Sequence, residues 1–148
     1  MTSPRFGNAP VSYGVFGATT QGAAPRDLLR SVADAGYDGC ELGPPGFFGS
    51  AVQTAEAYRE VDLSAVGSYV PLHLAGTDAA MAHDLAGMAA TCSELLECGG
   101  GLAILADEGS PELLINPARD WLDRSLSLNA ESWDRLAARV RDAQSRVE

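Results

Sequence analysis

The sequence predicts an α/β fold of parallel (βα) units, four strands and four helices, half of an eightfold β/α barrel. Three observations predict it. Short apolar runs alternate with segments of helical periodicity along the chain, and the stretches between them are rich in Gly, Pro, Asp and Ser, a pattern that calls for parallel strands joined by right-handed crossovers. Moreover, a run of helix end, glycine and strand occurs twice, at Ala35-Gly36-Tyr37-Asp38-Gly39-Cys40-Glu41-Leu42 and at Cys98-Gly99-Gly100-Gly101-Leu102-Ala103-Ile104-Leu105. Their separation matches two units of a β/α barrel at roughly 30 residues each.

Taken in order, Val11 to Phe16 (Val-Ser-Tyr-Gly-Val-Phe) reads as the first strand, with residues 1–10 expected to be flexible. Pro25 suits the first turn of a helix running to Ala35, in which Leu28, Leu29, Val32 and Ala33 recur at helical spacing. Gly36 fits a left-handed helix stop. The second strand, 39–42, carries Cys40-Glu41-Leu42 and breaks at Gly43-Pro44-Pro45-Gly46. Ser50-Ala51-Val52-Gln53 has the capping-box pattern and opens a helix to about Glu60. A third strand, 65–74, leads to Thr77 as the cap of a helix ending near Glu97. The glycine run then gives way to a fourth strand, 102–106, and Asn129 caps a last helix from Ala130 to about Arg146.

At 148 residues and 46% hydrophobic the chain is expected to bury one core as a single domain, 1–148. A complete eightfold barrel takes roughly 200 residues at least. No apolar run approaches the roughly 18 residues of a membrane span and the N-terminus lacks a signal-peptide pattern, so a cytoplasmic protein is expected. The three cysteines, Cys40, Cys92 and Cys98, are odd in number and lack C-x-x-C spacing, which favours reduced thiols over a disulfide frame or a zinc site.

The net charge is −10, and residues 61–115 hold Asp62, Asp78, Asp84, Glu94, Glu97, Asp107, Glu108 and Glu112 with no Lys or Arg. Nucleic acid and anionic membrane are therefore excluded as expected partners. The chain has no lysine at all, which removes Schiff-base chemistry and a P-loop. Gly99-Gly100-Gly101 precedes a strand instead of opening a helix, so it is not a dinucleotide fingerprint.

In parallel β/α architectures functional groups gather at the carboxyl ends of strands. That rule selects Phe16 and Thr19 after the first strand, Glu41 on the second, His73 on the third, and Asp107 with Glu108 on the fourth. Carboxylates and an imidazole exchange hydrogen bonds with hydroxyls, and an aromatic ring walls off C–H faces, so the set suits a small sugar or polyol. Plainer roles stand beside these. Glu41 could cap a loop, His73 between Leu72 and Leu74 could be a core histidine, and Asp107 and Glu108 could form a solvated turn. His83 is expected at the surface, Trp121 and Trp133 packed between elements, and Arg26, Arg30 and Arg59 facing solvent.

The segments Ala35 to Gly43, Val70-Pro71-Leu72-His73-Leu74 and Leu105-Ala106-Asp107-Glu108-Gly109 together resemble the N-terminal half of the xylose-isomerase-like TIM-barrel superfamily. Within it, the sugar phosphate isomerase/epimerase group that includes inosose dehydratase is the most similar. The resemblance implies proton transfer next to a carbonyl, assisted by a divalent metal (Mn, Mg or Co) held by carboxylates and a histidine. By position it implies that Glu41 faces the substrate pocket as the catalytic residue and that His73, Asp107 and Glu108 bind substrate, while the strand-end rule alone adds Phe16 to the substrate-binding set. The family's metal ligands come from later strands, so the resemblance implies no metal ligand among these residues and an inactive chain on its own. A homodimer or a complementary C-terminal half is the partner expected to complete it. The alternative is a non-catalytic half barrel that binds a polyol or pairs with a partner chain.

Overall fold

Strand order follows chain order. The computed structural model describes residues 5–16, 24–109 and 128–147, and within them β1 (Gly7–Asn8), β2 (Gly39–Leu42), β3 (Ser64–Leu72) and β4 (Ala103–Asp107) form one sheet in the order β1-β2-β3-β4. Doubly wound sheets reverse direction at a switch point. Here each crossover advances by one strand in the same sense, the winding of a β/α barrel. Pairing is parallel, with Gly7 beside Gly39, Asn8 beside Cys40 and Cys40 beside Ala65. The α/β class and its four βα units are as the sequence predicts.

Among the described residues the helices are α1 (Pro25–Asp34), α2 (Ala51–Glu60), α3 (Asp78–Glu97) and α4 (Ala130–Ser145). Their ends are where local chemistry requires. Gly36 takes φ +84° after α1, a conformation costly for any residue with a Cβ. Ser50 and Gln53 complete a capping box at α2. Thr77 Oγ1 accepts the Ala80 N–H at 3.1 Å, and Asn129 Oδ1 accepts the Ser132 N–H at 2.9 Å.

The first strand departs from the expectation. Residues 10–13 of the apolar run form a 3-10 helix, Pro10–Tyr13, closed by Gly14 at φ 82°, and the strand lies earlier, at Gly7–Asn8. Pro10 supplies the preset φ of a helical first turn and Gly14 the left-handed stop. Residues 5–10, expected to be flexible, are tied down instead. The Phe6 N–H donates to Asp38 Oδ2 at 2.7 Å, the Asp38 N–H donates to the Phe6 carbonyl at 2.7 Å, and Arg5 donates to Ser64 Oγ at 2.7 Å. The third strand also ends two residues early, at Leu72, leaving His73 and Leu74 in the loop.

Two compact units divide the chain, residues 1–70 with 90–104 and residues 71–89 with 105–148. In the first, Leu28, Leu29 and Val32 of α1, Cys40 and Leu42 of β2, Ala57 and Tyr58 of α2, Ala65 of β3 and Leu95 of α3 form the core. Thr54, fully buried, joins α2 to α3 by donating to Glu94 Oε1 at 2.8 Å. In the second unit Leu72, Leu74, Met81, Leu85, Met88 and Ala143 are buried. Trp133, expected to pack between elements, is 57% exposed, because α4 turns Arg139 and Ala143 inward instead. Trp121 and Thr19 lie outside the described residues.

Candidate functional site

Side chains alternate along a strand, so Cys40 and Leu42, turned into the helix-side core, put Glu41 on the opposite face of β2. The β2–β3 ladder is irregular just there, running from Cys40 beside Ala65 to Leu42 beside Ser68. Bulges of this kind re-aim side chains and recur near active sites. Glu41 is half-buried. Burial pushes its carboxyl above the usual 4.5, since desolvation penalises the charged form. Among the described residues its carboxylate has neither a hydrogen-bond nor an ion-pair partner.

The backbone beneath Glu41 is held firmly. Tyr58, 2% exposed, donates its hydroxyl to the Glu41 carbonyl at 2.7 Å. Burial raises the Tyr58 phenol, helped by the neighbouring Cys40, and burial pushes the Cys40 thiol up to about 12. Both stay protonated near neutrality and serve the packing. Cys40, Cys92 and Cys98 are all free thiols.

By register, Tyr69, Leu102 and Ile104 of the first unit share the face of Glu41. The Ser68 N–H donates to the Leu102 carbonyl at 2.9 Å, a parallel pairing that sets Ser68 beside Ala103 and therefore Tyr69 beside Ile104. Tyr69 is 49% exposed, Leu102 60% and Ile104 36%. Phe16 follows the 3-10 helix and is 81% exposed.

The second unit brings His73, Asp107 and Glu108 together where β3 and β4 end. The Glu108 N–H donates to the Leu72 carbonyl at 3.0 Å, and Asp107 Oδ1 accepts the Leu74 N–H at 3.0 Å. Asp107, expected to face a ligand, therefore turns an oxygen back to fasten the β3–α3 loop. His73 Nδ1 lies 3.0 Å from Asp84 Oδ2, and the same oxygen accepts the His73 backbone N–H at 2.7 Å. From α4, Arg139 donates to the carbonyls of Leu74 (2.7 Å) and Gly76 (2.8 Å) and to Asp78 Oδ1 (2.5 Å).

Asp84 and Arg139 were not among the residues the sequence singled out, yet both carry a readable signal. Met81, Leu85 and Met88 mark the inward stripe of α3, and Asp84 falls in it at helical spacing. Leu136, Val140 and Ala143 do the same for Arg139 on α4. A charge in an apolar stripe is costly to bury unless it has a partner. His83, by contrast, is exposed as expected, and so are Arg26, paired with Glu60, Arg30, paired with Asp27, and Arg59.

A divalent ion needs several converging donors. Among the described residues no group of three His, Cys, Asp or Glu side chains could hold one, and one face of His73 is already taken by Asp84. No helix among them is long and apolar enough to cross a membrane. No protein-family model, curated protein or solved structure matches the chain.

Proposed function

We propose that this chain is a cytoplasmic protein that binds a small sugar or polyol carrying a carbonyl, with the chemistry of the xylose-isomerase-like isomerases, epimerases and inosose dehydratases. The observation that carries this reading is Glu41, a carboxylate without a partner among the described residues, on the non-helix face of a singly wound parallel sheet, with raised proton affinity. Such a group takes a proton from the carbon next to a carbonyl as the C–H electron pair moves toward the carbonyl oxygen. Returning it to the opposite face of the same carbon gives the epimer, and returning it to the former carbonyl carbon, while the hydroxyl proton of the first carbon passes to the former carbonyl oxygen, gives the isomer. The rigid Tyr58 to Glu41 carbonyl bond supports the same role by fixing the backbone that aims the carboxylate.

The test is saturation-transfer NMR on the full chain with a panel of ketohexoses and inososes. Transfer to at least one of them, lost in Glu41→Gln with the fold unchanged by circular dichroism, is the expected result. Absence of transfer to every compound sinks the reading. A second reading, pairing of two copies through the exposed row of Tyr69, Leu102 and Ile104, is favoured by the exposure of those side chains on one sheet face.

A further inference from the structure

We propose that His73 and Asp84 form a proton-transfer dyad in the second unit. His73 Nε2 takes a proton from a hydroxyl, or gives one to a carbonyl oxygen, of a bound polar ligand, and Asp84 is its positioning residue. The dyad stands on its own geometry, without reference to Glu41.

A single oxygen, Asp84 Oδ2, accepts the His73 backbone N–H at 2.7 Å and meets Nδ1 at 3.0 Å. An ionised carboxylate only accepts hydrogen bonds, so Nδ1 carries the proton of the neutral ring and Nε2 keeps its lone pair. Burial separates the two sides of the pair. The Asp84 side chain is 10% exposed and that of His73 is 49% exposed, so the holding oxygen is withdrawn while the ring reaches solvent.

The surroundings fix the loop that carries the ring. Asp107 holds the Leu74 N–H, and Arg139 holds the Leu74 and Gly76 carbonyls while pairing with Asp78. Glu108, whose N–H donates to the Leu72 carbonyl, lies beside His73 in the β3–β4 register. Asp84 from α3 is the charged group that meets the ring, and the elements that hold its loop also carry Asp107 and Glu108 at the end of β4 and Arg139 of α4, paired with Asp78.

A backbone cap alone gives no reason for the ring to share the same oxygen. Placing Asp84 in the inward stripe of α3 has a desolvation cost, and orienting an imidazole is the familiar use of such a carboxylate. In the reaction step, the O–H bond of the ligand breaks as the Nε2–H bond forms. The resulting imidazolium, with both nitrogens protonated, is stabilised through Nδ1–H by Asp84. Transfer of the Nε2 proton to a ligand oxygen restores the neutral ring.

Two histidines, His73 and His83, make the experiment internally referenced. Long-range proton–nitrogen NMR spectra of the labelled full chain, recorded at about pH 9 where an ordinary imidazole is neutral, should show His73 as the Nδ1–H tautomer. Asp84→Ala should lose that preference and leave His83 unchanged. If Asp84→Ala does not fold, the wild-type spectrum still decides, because an Nε2–H tautomer at His73 overturns the dyad. An inosose and a ketohexose are then titrated in, and either should shift the His73 Nε2 resonance while His83 stays in place. If neither compound moves Nε2 the dyad is overturned, and the Glu41 reading is judged separately by saturation transfer. An Nε2 shift that persists unchanged in Glu41→Gln supports the dyad on its own, whatever becomes of the Glu41 reading.

Discussion

At the scale of single residues, the protonation of Glu41 links stability to function. Burial raises its folded pKa above the ordinary 4.5, so the folded chain binds this proton more tightly than the unfolded one. The stabilisation is complete below the unfolded value and is lost as pH rises through the folded value. Glutamine mimics the protonated form at every pH. Glu41→Gln should therefore match the wild type in urea melts at about pH 4 and be the more stable chain at about pH 7. A variant less stable at about pH 7 would mean that the carboxylate is held by a partner, and the role proposed for it would fail. The place of Glu41 near the end of β2 was legible, because the rule of strand carboxyl ends selects it from the sequence. The raised proton affinity was not, since it depends on what the fold packs around Glu41.

At the scale of elements, the β2–β3 contact depends on a glycine. A Cβ on Gly39 would lie 2.4 Å from Val66 Cγ1 and 2.6 Å from the Ser64 carbonyl oxygen, and the backbone oxygen cannot rotate away. Gly39→Ala should cost about 2–3 kcal/mol by denaturant melts, within the range for overpacking, and a cost below about 0.5 kcal/mol would show that the strands separate freely. The β3–α3 loop depends likewise on Arg139. Arg139→Met keeps the apolar stem but leaves the carbonyls of Leu74 and Gly76 without their donor, a loss of about 2–3 kcal/mol for hydrogen bonds to a charged group. The amides of the loop should exchange faster with it, and unchanged exchange would mean that Asp107 alone holds the loop. Helix ends were the most legible feature, because Ser50, Thr77, Asn129 and Gly36 act through neighbours in sequence. The first strand was the least legible. Gly7 and Asn8 carry no strand propensity and are placed by bonds to Asp38, while Arg5 reaches Ser64, and such long-range anchors leave no local pattern.

At the scale of the whole molecule, the sequential parallel order of the sheet has a consequence for self-association. Among the described residues β1 and β4 each have a strand neighbour on one side only, and Tyr69, Leu102 and Ile104 expose apolar surface on one face of the first unit. Burying such a face against a second copy would stabilise the pair at roughly 25 cal/mol per Å² of apolar surface removed from water, less the freedom lost on association. Opposing this, each copy carries a net charge of −10, and like charges repel over about 30 Å at 0.01 M salt but only about 3 Å at 1 M. Attraction by apolar burial survives salt while the repulsion is screened, so pairing should strengthen as salt rises. Sedimentation velocity should show a mass above 15.4 kDa that grows with protein and salt concentration, and Ile104→Lys with Leu102→Lys should return the chain to a monomer at every salt concentration. Wild-type chains that stay monomeric in high salt, or pairing that weakens as salt is added, would rule out this face as the contact between copies, the second result because it is the signature of an association held by opposite charges.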